Sequence, residues 1–108
     1  MAAYSGPFEL PFSQVALTGG VSITQTVVAL TAGADATLIA ANPKRRFLAV
    51  ANIGTNPATL AFDVAAVAGQ GWPLAAGASF PWDGASVPTN ALHAISTAGS
   101  TVVVLEGV

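Results

Sequence analysis

The stretch Thr101-Val102-Val103-Val104-Leu105 lies near the end of the 108-residue chain and contains only β-branched and aliphatic residues. Such residues favour an extended backbone, because their side chains pack well on a pleated surface. A run without charges or strongly polar groups is typical of a strand that is covered on both faces. We therefore expect a buried strand here.

Other segments of strand length precede this run, and groups of residues that favour turns separate them. Several segments have residues spaced by two, as expected for strands with one buried face: Val21, Ile23 and Gln25; Leu60, Phe62 and Val64; Leu92, Ala94 and Ser96. The turn groups include Gly19-Gly20, Asn42-Pro43, Gly54-Thr55-Asn56-Pro57, Gly69-Gln70-Gly71, Asp83-Gly84 and Gly99-Ser100.

No segment has a sustained helical period with capping residues. The segment Ala58 to Ala68 is rich in Ala, but the spacing of its large residues favours a strand. Seven or eight strands at intervals of roughly 8–12 residues indicate an all-β fold. We predict one domain over residues 15–108, a single antiparallel β-sandwich or jelly-roll-like barrel, with no helix longer than about two turns.

Residues 1–14 are predicted to form an extended N-terminal arm. Pro7 and Pro11 bias their neighbours towards extended conformations. Phe8, Leu10 and Phe12 alternate with polar residues or Pro, so three large apolar side chains share one side of the segment. We expect the arm to be bound, either on its own domain or on a neighbour, where it would add a strand to a sheet edge.

The chain is poor in charge: 7% of its residues are charged and its net charge is −2. A soluble domain usually carries about a quarter of its residues as charges. A surface so poorly hydrated is better suited to being covered by other protein. The charge balance gives no electrostatic attraction to nucleic acid, and the uncharged stretch Leu10–Ala34 is too polar and too rich in Gly and Pro to span a membrane.

The residue types for catalysis or metal binding are scattered. There is no Cys, and His93 is the one histidine, which on alternation points opposite to Leu92 and Ala94. The five acids do not form a motif: Glu9, Asp35, Asp63, Asp83 and Glu106. We expect a core or interface His93 and structural turn carboxylates, with no catalytic site, no cofactor and no metal.

Two clusters are candidate protein-interface sites. Lys44-Arg45-Arg46 contains all of the basic residues and precedes a predicted strand; it is either a solvated loop or a set of cations for a partner's carboxylates. Trp72 and Trp82, beside Pro73 and Pro81, could stack on sugar rings, but bulky plugs at a sandwich edge or subunit contacts are favoured.

The segment Asn42-Pro43-Lys44-Arg45-Arg46-Phe47-Leu48-Ala49-Val50-Ala51-Asn52-Ile53-Gly54 resembles the entry and first central strand of small β-rich virion proteins of tailed bacteriophages. The resemblance extends over roughly residues 38–107. It includes Leu74-Ala75-Ala76-Gly77-Ala78-Ser79-Phe80, Trp82-Asp83-Gly84, Val87-Pro88-Thr89, Ala91 to Ser96, and Thr101 to Gly107. Several proteins of this kind are capsid decoration (cement) proteins, and the similarity does not distinguish a head from a tail location.

The low charge indicates a structural subunit, and the resemblance implies a non-enzymatic virion protein assembled in the host bacterial cytoplasm. It would be a capsid decoration subunit, a homo-oligomer (trimer favoured over dimer) that bridges the major capsid protein or another shell protein. A tail, neck or fibre-attachment component is the first alternative, and a carbohydrate-binding module that uses Trp72 and Trp82 is the second.

Overall fold

The computed structural model describes residues 20–108, in which eight strands form two four-stranded antiparallel sheets. The strands are β1 (Ile23–Leu30), β2 (Ala36–Ile39), β3 (Phe47–Asn52), β4 (Ala58–Phe62), β5 (Trp72–Leu74), β6 (Ser79–Asp83), β7 (Leu92–Ile95) and β8 (Ser100–Gly107). A single 3-10 turn, Gly84–Ser86, follows β6. The predicted all-β class and the strand number are confirmed for this part of the chain, whereas the arm, residues 1–14, lies outside it.

The strand order is β1-β8-β3-β6 in one sheet, here called the first sheet, and β2-β7-β4-β5 in the other, the second sheet. Most connections cross between the sheets, and only β4 and β5 are joined as a hairpin within one sheet. This arrangement makes β8 a central strand, paired with β1 over its whole length and with β3 on its other side.

The core lies between the two sheets and follows the alternation of the strands. Leu48 and Val50 of β3 and Val102 and Val104 of β8 are buried to within 1% of full burial. The second sheet contributes residues that are buried to the same degree: Leu60, Leu92 and Ala94. Because Leu92 and Ala94 point into the core, His93 points out of it, as the alternation predicted.

Two details of the sequence prediction are wrong. Only one face of β8 is buried: Val102 and Val104 lie in the core, whereas Val103 and Leu105 on the other face are half-exposed. The strand predicted through Val64 ends at Phe62, and Val64 is 62% exposed in the following loop. The spacing by two therefore continued past the end of the strand by coincidence.

Asn52 joins the structure at one end of the sandwich. Its Nδ2 donates to the carbonyl oxygens of Asn56 and Leu74, at 2.8 and 3.1 Å. Its Oδ1 accepts from the N–H of Gly54 and the hydroxyl of Ser100, at 3.1 and 2.7 Å. The side chain is buried and all its hydrogen-bonding capacity on both atoms is used, so it ties β3, β5 and β8 together.

We expect Asn52→Asp to lower the free energy of unfolding by about 2–6 kcal/mol, because two carbonyl oxygens lose their donor at about 1–3 kcal/mol each. Gln70→Glu, the same chemical exchange at an exposed position of the loop between β4 and β5, is the matched control and should change stability by less than about 0.5 kcal/mol. Urea unfolding monitored by tryptophan fluorescence measures both. Equal stabilities of the two variants would contradict this role of Asn52.

Candidate functional site

The basic run Lys44-Arg45-Arg46 does not form one cationic surface. It lies in the loop between β2 and β3, where Lys44 and Arg46 are exposed and Arg45 is buried. The side chain of Arg45 has no solvent exposure. A partner protein has no access to such a side chain, so the interface role predicted for this residue does not agree with its position.

Arg45 instead holds its own domain together. Its Nε donates to a carboxylate oxygen of Glu106 at 2.8 Å, and this carboxylate is 17% exposed. Its terminal nitrogens donate to the carbonyl oxygens of Ala40, Pro88 and Asn90 at 2.7–2.8 Å. The planar guanidinium thus joins two loops to the end of β8, which a lysine could not do with one nitrogen.

The other two cations remain at the surface. Arg46 donates from its guanidinium to the carbonyl oxygen of Gly20 at 2.9 Å, which attaches the chain just before β1 to the start of β3. The main-chain N–H of Lys44 donates to Oδ1 of Asn42, an arrangement typical of a tight turn. In the described part of the chain, Lys44 and Arg46 are therefore the basic side chains that a partner could reach.

Trp72 and Trp82 belong to an aromatic cluster at one edge of the sandwich. Trp72 comes from β5 and Phe62 from β4 of the second sheet, while Phe80 and Trp82 come from β6 of the first. Ring centroids are 4.8 Å apart for Trp72 and Phe80, 4.6 Å for Phe80 and Trp82, and 5.8 Å for Phe62 and Trp82. The rings close the gap between the two sheets at their β5 and β6 edges.

This geometry does not form a flat platform for a sugar. The planes of Trp72 and Trp82 are tilted by 59°, and Trp72 meets Phe80 edge to face. Edge-to-face pairs of this kind contribute about 0.5–1.5 kcal/mol each to stability. The contacts favour the plug interpretation of the two tryptophans.

The carboxylates are used as local structural groups. Asp63, in a left-handed backbone conformation, accepts from the side-chain amide of Asn90 and from the N–H of Ala91. These two hydrogen bonds, with a smaller contribution from the nearby His93, lower the pKa of Asp63 below its ordinary value. The carboxylate oxygen Oδ2 of Asp35 lies 3.3 Å from Nδ1 of His93 on the outer face of the second sheet.

These acids and His93 do not form a metal site: no group of three potential metal ligands exists among residues 20–108. In the same residues, no helix is long and apolar enough to cross a membrane.

The outer face of the first sheet carries mostly apolar side chains, with Gln25, Ser79, Thr101 and Asp83 as its polar members, and it is uncovered in the described part of the molecule. Ile23 and Val27 of β1 are 49% and 56% exposed, and Val103 and Leu105 of β8 lie beside them. A groove of about 260 Å³ on this face is lined by Ala49, Val50, Ala51, Ser79, Val103 and Leu105.

The outer face of the second sheet is different. The loop between β4 and β5 folds over it, with hydrogen bonds from the N–H of Ala66 to Asp35 and from the N–H of Gly69 to Thr59. Ile95 on this face is consequently 9% exposed. The outer face of the first sheet is therefore the surface at which contact with another protein would bury more apolar side chains.

The predicted interface residues Phe8, Leu10 and Phe12 lie outside the described residues.

The comparisons with known proteins give a distant similarity in fold. No protein-family model and no curated protein match the chain. Among solved structures, the chain is similar to a protein of the Bacillus endospore appendages, described as a family of disulfide-linked pili. The two chains are 21% identical, the match covers 90% of this chain and 96% of the other, and the TM-score is 0.42.

We expect Arg45→Ala to destabilise the domain by about 3–5 kcal/mol, because it leaves the carboxylate of Glu106 and three carbonyl oxygens without their donor. Arg45→Lys should recover only part of this loss. Lys44→Ala, one residue away and exposed, is the control and should change stability by less than about 0.5 kcal/mol. Chemical unfolding at neutral pH measures all three; a Lys variant as stable as the native protein would contradict the proposed role of the guanidinium.

We expect Asn90→Ala to raise the pKa of Asp63, because it removes the largest cause of the lowered value. Carboxylate titration by ¹³C NMR measures this pKa directly.

Since the folded-state pKa is lowered, Asp63 stabilises the native state above its ordinary pKa of about 4, and this contribution is lost as the pH falls through the folded-state value. The stability difference between the native protein and Asp63→Asn should therefore shrink below about pH 4; a constant difference down to pH 2 would contradict it.

Proposed function

We propose that the protein is a non-enzymatic structural subunit of a larger protein assembly. The observation that carries this proposal is the outer face of the first sheet, which is mostly apolar, free of Lys and Arg and uncovered in the described residues. A monomer in solution rarely leaves such a contiguous apolar surface in water, and burial of this surface stabilises an assembly by about 25 cal/mol per Å².

The finer interpretation of the fold is a jelly roll. The orders β1-β8-β3-β6 and β2-β7-β4-β5 support it, because they place eight antiparallel strands in two sheets with connections that cross repeatedly between them. Jelly rolls of this kind occur in viral capsid domains and lectins. Since one fold serves many functions, the strand order supports a role in a shell without deciding it.

Within the structural class, the specific proposal is a capsid decoration protein of a tailed bacteriophage. Its support is the resemblance of residues 38–107 to small β-rich virion proteins, together with the low charge of the surface. In this proposal a homo-oligomer, with a trimer favoured over a dimer, binds several copies of the major capsid protein. Each contact after the first is then intramolecular, so that modest interfaces combine into tight attachment.

The first experiment is to measure association and copy number. Analytical ultracentrifugation of the purified protein should give an oligomer at micromolar concentration. Quantitative mass spectrometry of particles from the phage that encodes the chain should give hundreds of copies for a shell protein, and a dozen or fewer for a tail, neck or fibre component. A stable monomer that is missing from particles would contradict the proposed structural role.

The predicted arm gives a second test. We expect Phe8→Ala combined with Phe12→Ala to reduce occupancy on particles while changing the melting temperature of the free protein little, because each buried Phe contributes about 1.5–3 kcal/mol to a contact outside its own core. Glu9→Gln, a change on the opposite side of the extended arm, is the control and should keep full occupancy. Unfolding of the double variant would instead place these side chains in the core of their own domain.

A further inference from the structure

The four edges of the two sheets differ in how well they are protected against pairing with another strand. The edge strand β6 contains Pro81 and ends at Asp83, and β5 has three residues, of which Pro73 is one. The edge strand β2 has four residues and an irregular register between Thr37 and Ile39. Proline, charge, shortness and irregularity are the features by which proteins protect their edges.

The remaining edge, β1, has none of these features. Its sequence Ile-Thr-Gln-Thr-Val-Val-Ala-Leu, residues 23–30, contains no proline and no charge. It pairs with β8 in an unbroken register over eight residues, from Ile23 with Gly107 to Leu30 with Ser100. A long, regular and uncharged edge is a template for an additional strand.

The hydrogen bonds at the start of β1 show which backbone groups are free. Ser22 and Val108 exchange both N–H···O bonds, at 3.0 and 3.1 Å. Because such pairs alternate along an antiparallel ladder, the even-numbered residues of β1 bond to β8. The odd-numbered ones direct their N–H and C=O groups to the open edge: Ile23, Gln25, Val27 and Ala29.

The arm has a matching alternation in its sequence. In an extended segment, the backbone groups of Pro7, Glu9 and Pro11 point to one side, and those of residues 8, 10 and 12 to the other. Both prolines lack an N–H, so the side with a full set of donors is that of Phe8, Leu10 and Phe12. If this side pairs with β1, the backbone of Pro7 and Pro11 lies along the new outer edge of the sheet. Because proline has no N–H, this edge cannot readily pair with a further strand.

This pairing also determines where the three apolar side chains lie. In an antiparallel ladder, residues that bond directly opposite each other have side chains on the same face of the sheet. Residues 8, 10 and 12 would therefore lie beside Ile23 and Val27, on the apolar outer face. The charged side chain of Glu9 would point to the other face of the first sheet, the one directed to the second sheet.

The course of the chain before β1 favours a neighbouring copy as the source of the arm. The pairing of Ser22 with Val108 and the bond from Arg46 to Gly20 carry the chain past the end of β1, away from the open edge of its own sheet. The eight steps from Phe12 to Gly20 span up to about 26–29 Å, which is the length of an eight-residue strand. An arm attached through a segment of this length can bind to β1 of an adjacent copy that lies within that distance.

We propose that residues 8–12 of one copy add as a fifth, antiparallel strand to the β1 edge of the first sheet of a neighbouring copy. The inference rests on the proposed structural role, and it names the contact through which copies join. The contact is heterologous, since arm and edge are different surfaces of the same chain, and it closes into a ring or continues as a filament.

The test compares two proline substitutions in the arm of the full chain. Leu10→Pro removes an N–H on the side that faces β1, whereas Glu9→Pro removes one on the side that already carries Pro7 and Pro11. Sedimentation equilibrium should show association weakened about tenfold or more by Leu10→Pro and much less by Glu9→Pro. Equal effects of the two substitutions would overturn the proposal.

A mixing experiment tests the neighbouring copy directly. Gln25→Pro removes an N–H from the open edge of β1 without removing a bond to β8, and its fold is checked by circular dichroism. Leu10→Pro and Gln25→Pro chains should each sediment as monomers, and a 1:1 mixture should give a heterodimer, because one chain retains its edge and the other its arm.

A mixture that stays monomeric would overturn the exchange between copies and assign the arm to its own domain. An oligomer that persists in Gln25→Pro would overturn β1 as the site while leaving the structural role intact. If Gln25→Pro does not fold, the comparison of Leu10→Pro with Glu9→Pro decides. In the mixing experiment, a chain with Gln25→Lys and Val27→Lys then replaces Gln25→Pro, since edge lysines also oppose strand addition.

Discussion

The ion pair between Arg45 and Glu106 is the interaction on which one end of the sandwich depends. The strands themselves need only alternating apolar residues, whereas the loops that connect them at this end are joined through their backbone carbonyl groups. The guanidinium binds the carbonyl oxygens of Ala40, Pro88 and Asn90 together with the carboxylate on β8. A buried charge of this kind is tolerated because four of the five N–H groups of the guanidinium have acceptors, one of them a carboxylate, and removal of Arg45 would cost more than the pair contributes.

Three sides of the sandwich are closed by different kinds of interaction. Arg45 closes one end, Asn52 closes the other with four hydrogen bonds, and the aromatic cluster around Phe80 closes the edge at β5 and β6. The fourth side, formed by β1, has no comparable closure among the described residues. Among the described residues, contacts within the domain thus close three sides of the sandwich, and the β1 side is open to another chain.

The sequence predicted the local features well and the long-range polar contacts poorly. Alternation around Leu92 and Ala94 placed His93 on the outer face, and the prolines beside the tryptophans suggested a sandwich edge, in agreement with the contacts among the rings. The burial of Arg45 could not be predicted, because its main partners lie 43–61 residues away and most are carbonyl oxygens that every residue has. Asn52 was missed for a similar reason: in Val50-Ala51-Asn52-Ile53 it resembles an ordinary end of a strand.

The two sheets differ in how far their outer faces are covered within a single copy of the chain. On the second sheet, Asp35, His93 and the folded loop cover the outer face, so Ile95 there is already removed from water. On the first sheet, Val27 remains 56% exposed and its neighbours Val103 and Leu105 are only half-buried. A lysine on β1 would oppose unwanted pairing, which is one of the ways in which proteins protect an edge strand. A sequence that protects three edges and leaves the longest one without a charge or a proline is best understood if that edge is occupied when the protein acts.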